Sequence, residues 1–276
     1  MFMREIFKIR YIRLTVLLVS VMLFTGINCG ESNSKEKTVY KNTSADSLKN
    51  IPEGLKKLVQ AYPEFLEKAE ENKLYWKDGT VMIYDDGTEK TFDEKLDNPD
   101  LEDMFSQRYV PGENWDMPPA ENFDPGRIRY EPFFEKMYGS SQTEVKSGLV
   151  TISWTPSGTG LQVHSANDVD GKLQQVADEL DRMPSEFHKY FNKTAGTFNY
   201  RKIAGTERLS THSYGIAIDI NTDYSDYWRW DKSMKYKNKI PVEVVKVFEK
   251  YGFIWGGKWY HYDTMHFEYR PELLIQ

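Results

Sequence analysis

Ser210-Thr211-His212-Ser213-Tyr214-Gly215-Ile216-Ala217-Ile218-Asp219 is the stretch on which the fold turns. Residues Tyr214 to Ile220 alternate with the period of a strand, and Gly215 marks a turn near its start. If Ile216 to Ile220 is extended, Ala217 and Asp219 share one face, while Ile216, Ile218 and Ile220 share the other. Asp219 is then a carboxylate set among apolar residues, a costly position unless a cation or a donor compensates it. His212, just upstream, is a natural companion. A second motif, Asp263-Thr264-Met265-His266, precedes Phe267 near the C-terminus, and a strand over Thr264 to Tyr269 turns His266 away from Met265 and Phe267. Glu268 then shares the His266 face. His212, Asp219 and His266 together have the ligand types of an open zinc site whose fourth position is left to water. Taken alone, the first motif is equally compatible with a buried, hydrogen-bonded His–Asp pair.

Around this core the periodicities predict a mixed fold. Leu55, Leu58, Val59, Tyr62, Leu66 and Ala69 recur at helical spacing from Pro52 to Asn72, with Pro63 dividing the segment in two. Strands are expected at Leu74 to Trp76, Val81 to Tyr84 and Lys90 to Phe92, separated by the turn dipeptides Asp78-Gly79 and Asp86-Gly87. Residues 97–130, rich in proline, read as an extended wrapping segment pinned by Phe105, Tyr109, Trp115 and Phe123. Further on come a strand at Leu149 to Trp154, a long helix from Asp170 to Asn192 kinked at Pro184, a helix from Ile240 to Tyr251, and a strand at Phe253 to Trp255. The class is α+β: a small antiparallel sheet with flanking helices carries the zinc site, preceded by a helix, hairpin and extended accessory region. The expected division is residues 1–28 a signal peptide, 29–50 a polar tether, 51–144 the accessory region and 145–276 the zinc domain.

Hydrolysis at such a site needs a carboxylate to move a proton, and Asp263, at the mouth of the His266 strand, suits that role. A positive group is needed for the oxyanion or for a substrate carboxylate, and Arg201 is the candidate. The pattern S-x-H-x-x-G-x-A-x-D at Ser210 to Asp219, followed by D-x-x-H at Asp263 to His266, resembles the zinc D-alanyl-D-alanine carboxypeptidase family of metallopeptidases. That family includes vancomycin-resistance and phage endolysin peptidases, and it shares its fold with the hedgehog signalling domain. The resemblance implies zinc on His212, Asp219 and His266, with Asp263 as general acid/base. Arg201 ahead of Gly205-Thr206, and Trp255-Gly256-Gly257-Lys258-Trp259 ahead of His266, look like its carboxypeptidase branch. Ser210, Tyr214 and His261 are expected in the substrate cleft. Arg127 and Arg129 read as salt bridges to the acidic body, with a substrate-carboxylate role as the alternative.

The 276 residues include 15 Phe, 18 Tyr and 7 Trp, which exclude a disordered or collagen-like chain, and a net charge of −6 argues against a nucleic-acid partner. Arg4, Lys8, Arg10 and Arg13 precede an apolar run from Leu14 to Phe24, the layout of a secretory signal and shorter than the about 20 residues of a membrane span. Cys29, the one cysteine, has no intrachain disulfide partner; its position resembles the lipidated cysteine of bacterial lipoproteins. The expectation is an exported, lipid-anchored envelope protein, or otherwise a periplasmic or secreted one, that touches the membrane through the anchor alone. Its expected activity is zinc-dependent carboxypeptidase action on peptidoglycan stem peptides. An L,D or D,D endopeptidase and a non-catalytic zinc-bearing wall-binding protein are the alternatives.

Overall fold

A computed structural model describes residues 51–230 and 233–276; the leader, the tether and Cys29 lie outside the described residues. Helix α1 (Glu53–Ala61) buries Leu55 and Leu58, as its spacing predicts. The second half of the expected helix is instead strand β1 (Leu66–Glu70), which pairs antiparallel with β2 (Lys73–Trp76). Pro63 has no N–H to continue the helix and disfavours helical backbone at Tyr62. After Pro63 the chain buries Leu66 while Glu67 and Lys68 stay exposed. Strand β3 (Val81–Ile83) completes this sheet across the Asp78-Gly79 turn, where Gly79 N–H donates to the Trp76 carbonyl at 2.9 Å. The expected strand at Lys90 to Phe92 is absent. Thr91 and Glu94 form a reciprocal capping box that starts helix α2 (Phe92–Asp97) there.

Residues 97–130 run with little regular structure, as their prolines predict, and are tied down by specific bonds. Tyr109 donates to Glu249 at 2.6 Å, Trp259 Nε1 donates to the Pro125 carbonyl at 2.7 Å, and Trp115 meets Trp255 edge-on. The buried Lys258 ammonium reaches the carbonyls of Val110 and Gly112 at 2.7 and 2.9 Å and Glu249 at 2.6 Å. Helices α3 (Glu131–Tyr138) and α4 (Gln142–Ser147) lead into a hairpin of β4 (Leu149–Trp154) and β5 (Thr159–His164). His164 ends this second strand. Helix α5 (Val169–Asp181) stops before Pro184, and the residues expected to extend it form a 3-10 helix at Ser185–Tyr190.

The sheet that carries the site has four antiparallel strands, in the order β6 (Thr194–Gly196), β7 (Ala217–Ile220), β9 (His266–Tyr269) and β8 (Phe253–Trp255). Strand β7 is shorter than the alternation suggests, because Thr211–Tyr214 is a 3-10 turn. Helix α6 (Val242–Lys250) covers one face: Phe248 stacks on Phe267 with ring centroids 3.7 Å apart. Each such buried ring contributes about 1.5–3 kcal/mol. Odd-numbered residues of β9 thus face α6, and the even-numbered ones face the other way.

That second face carries a row of buried charge. His266 Nε2 lies 3.2 Å from Glu268 Oε2, Arg270 Nη1 donates to Glu268 Oε1 at 3.1 Å, and Arg270 Nε donates to Glu272 at 2.5 Å. Tyr62, at the end of α1, donates to Glu272 at 2.5 Å, and Arg270 also donates to the Gly126 carbonyl at 2.6 Å. Glu268, Arg270 and Glu272 are all 0% exposed, so each depends on its neighbours for its charge. Replacing Arg270 with alanine strands two buried carboxylates, and we expect a loss of about 3–5 kcal/mol in urea unfolding. A change below 1 kcal/mol would show that the row carries no such dependence.

Candidate metal centre

Strand register and one turn bring three donors together. Asp219 on β7 stands directly opposite His266 on β9, so their side chains emerge on the same face. His212 arrives from the 3-10 turn at Thr211–Tyr214, which Gly215 closes with a φ of 69°. A Cβ at Gly215 would meet Leu149 Cδ2 at 2.6 Å, so both backbone and space favour glycine there. The resulting distances are 3.1 Å from His212 Nε2 to Asp219 Oδ1, 3.0 Å from His266 Nδ1 to the same oxygen, and 3.2 Å between the two nitrogens.

The donor set fits zinc. Tetrahedral bonds of about 2.0–2.1 Å put neighbouring ligand atoms about 3.3 Å apart. Each imidazole also has an acceptor at its far nitrogen: the Thr197 carbonyl lies 2.6 Å from His212 Nδ1, and Glu268 lies 3.2 Å from His266 Nε2. Those acceptors hold protons on the far nitrogens, so His212 Nε2, His266 Nδ1 and Asp219 Oδ1 are the atoms that face one point, and a metal that displaces the His266 Nδ1 proton finds three donors there. Burial disfavours a charged Asp219, yet His212 and His266 hold its carboxyl far below the usual carboxylate range. Glu268 is likewise held low against its burial, first by Arg129 and then by His266 and Arg270.

Asp263 has the opposite environment. Its Oδ1 is buried without a hydrogen-bond partner, and burial together with the Asp219 charge pushes it up to about 7. It lines the same cleft of about 100 Å³ as the three donors, with Arg201, Ser210 and His261. Arg201 is held by its backbone: its N–H donates to Ser213 Oγ at 2.9 Å, and Ser213 Oγ–H donates back to the Arg201 carbonyl at 2.8 Å. The side chain of Arg201 is exposed at the cleft. His261 is fixed by the fully buried Asp124, which lies 2.6 Å from Nδ1 and accepts the His261 backbone N–H at 2.9 Å.

Tyr214 is a correction. It is 1% exposed, packs against Phe134 and Tyr138, and does not line the cleft, because the 3-10 turn directs it into the core two residues after His212. Arg127 and Arg129 do pair with carboxylates, Asp124 and Glu268, and both also line the cleft. Sequence reasoning passed over Asp124, Ser213 and Trp228. Asp124 sits in an Asp-Pro-Gly turn, which signals a bend and nothing about a histidine more than a hundred residues away.

Residues 204–269 match the family model of the D-alanyl-D-alanine carboxypeptidases, a span that includes His212, Asp219, Asp263 and His266. No curated protein and no solved structure matches the chain. The match supports a peptidase of the zinc D-alanyl-D-alanine carboxypeptidase type.

Burial disfavours charge on His266, but Asp219 and Glu268 outweigh it and push the metal-free imidazole up to about 10. Metal must therefore displace a proton at neutral pH. We expect zinc affinity to rise about tenfold per pH unit through neutrality, with about one proton released per metal. Calorimetry in buffers of different ionisation enthalpy counts that proton, and a count of zero would break the ligand assignment.

Proposed function

We propose that the chain is an exported zinc peptidase acting on peptidoglycan stem peptides, and that it removes the terminal D-alanine as a D-alanyl-D-alanine carboxypeptidase. The observation that carries this reading is Asp263, a carboxylate without a hydrogen-bond partner at Oδ1, pushed up to about 7 and lining one cleft with the three donors. A group with that pKa accepts and returns a proton near neutrality. Held by His212, Asp219 and His266, zinc supplies Lewis acidity toward the scissile carbonyl and the attacking water. Asp263 takes the proton of that water and delivers it to the leaving amine. Arg201 steadies the negative charge that develops on the carbonyl oxygen. Trp228 and Trp259 wall the cleft and limit bulk water around the reacting atoms.

The basic and apolar leader supports export, and Cys29 supports a lipid anchor that places the peptidase beside its wall substrate. Zinc-loaded protein incubated with purified muropeptides is expected to remove one alanine mass, read by mass spectrometry. Asp263→Ala is expected to lower the rate about 10²–10⁴-fold, and His266→Ala to lose it with the metal. Asp263 must be ionised to accept the proton, so activity should fall as the pH drops below its pKa, with a limb at or below about pH 7. Cleavage of internal bonds would move the reading to an endopeptidase; metal bound without any product would leave a binding protein.

A further inference from the structure

Trp230 is the one exposed aromatic side chain among the described residues, at 61%. A lone surface ring needs no explanation, but this one ends a chain of five. Phe92 of α2 stacks on His261 with ring centroids 6.5 Å apart, and His261 meets Trp228 edge-on at 4.8 Å. Trp228 meets Tyr227 at 6.1 Å, and Tyr227 meets Trp230 at 5.8 Å with the ring planes 83° apart. His261, Trp228 and Tyr227 line the cleft with the three donors, whereas Phe92 and Trp230 lie beyond its lining. The rings therefore mark a path from the cleft to the surface at Trp230.

The outer end of that path is held by its backbone. Tyr227 forms an antiparallel bridge with Asp263, Trp228 N–H donates to the Tyr262 carbonyl at 2.9 Å, and Trp230 N–H donates to the Tyr227 carbonyl at 2.9 Å. Arg229 ties the turn to the neighbouring loop: its Nη1 donates to the Ala204 carbonyl at 3.0 Å, and its guanidinium carbon lies 4.9 Å from the Trp228 ring. An indole held in water by such a turn offers a flat apolar face at little ordering cost. The exposed Arg229 adds N–H donors one residue away. A ligand matched to both has a flat apolar face and a polar rim. A pyranose ring has that form, with C–H groups on a face and hydroxyl and acetamido groups at the edge. A bilayer or a protein partner needs a wider apolar surface, and the other exposed large apolar side chains, Val81, Ile83, Met117 and Val150, come from β3, the wrapping segment and β4.

We propose that Trp230 and Arg229 form a saccharide subsite at the mouth of the cleft, which holds a sugar ring of the glycan that carries the stem peptide, while the peptide follows the rings inward. This deepens the peptidase reading and rests on it. The chain thereby selects glycan-linked peptide over free peptide through contacts away from the reacting atoms.

Binding is measured by calorimetry on the zinc-loaded full chain with glycan chains freed of peptide. Turnover is measured with a stem pentapeptide, free and joined to its disaccharide. Joining the sugar is expected to lower KM about 5- to 30-fold with kcat little changed. Trp230→Leu should abolish glycan binding and bring the two KM values within about twofold, and Trp230→Phe, which keeps a ring, should retain part of both. Turnover of the free peptide should stay unchanged in both variants. Full glycan preference in Trp230→Leu, or equal loss in the Leu and Phe variants, would overturn the subsite. A fall in free-peptide turnover that tracks the loss of glycan binding would show damage to the turn and overturn it too. A blue shift of tryptophan emission on phosphatidylglycerol vesicles that Trp230→Leu removes, or a dimer that it dissociates, with glycan binding unchanged in either case, would replace the sugar by a bilayer or a second copy. Trp230-dependent glycan binding without cleavage of either peptide would overturn the peptidase reading and keep the subsite. Cleavage of both peptides at equal KM would do the reverse, and neither glycan binding nor cleavage would overturn both.

Discussion

The structure depends on keeping alternating charges dry along one row that runs from β9 into the turn after it. Histidine and glutamate share one face of β9, and Arg270 and Glu272 continue the row past the end of the strand into the 3-10 turn at Pro271–Leu273. No member is favourable alone in that setting, since a lone buried charge costs several kcal/mol. Together they compensate one another, and the outer members recruit Tyr62 from α1 and the Gly126 carbonyl from the wrapping segment. The row therefore makes the orientation of His266 a property of contacts gathered from distant parts of the chain.

The same row sorts the carboxylates of the site. Glu268 lies between Arg129, Arg270 and His266, stays ionised, and fixes which nitrogen of His266 faces the metal position. Asp263, only three residues before His266, is pushed toward neutrality because burial and the Asp219 charge outweigh the pull of His266, His212 and Arg127. Two acids on one short segment thus differ in proton affinity through environment alone.

Part of this was legible in the sequence, where chemistry and local period coincide. That His212, Asp219, Asp263 and His266 meet in one cleft, and that His266 and Glu268 share a face, follow from residue type plus strand alternation, and the helix at 242–250 from its spacing between Pro241 and Gly252. Errors arose where a local rule was overridden by a neighbour. Leu66 to Glu70 keep a helical apolar spacing, yet after Pro63 the partner strand β2 decides their conformation. Lys90 to Phe92 look extended until Thr91 and Glu94 are read as a cap. Tyr214 sits beside a ligand in sequence and points elsewhere because the turn is 3-10 rather than extended. The arginines of residues 127 and 129 could not be placed from sequence, because nothing local says which carboxylates a long wrapping segment will meet.

Lys258 gives the wrapping segment a significance beyond covering surface. Its ammonium, 2% exposed, takes two of its acceptors from backbone carbonyls at residues 110 and 112. Carbonyl oxygens persist through any side-chain substitution, so this tie tolerates sequence drift in the segment but not its shortening or removal. The part of the chain that bears His212, Asp219 and His266 is, for that reason, not a portable cassette: transplanted without its wrapping, it would carry an ammonium folded inward toward acceptors left behind in another part of the chain.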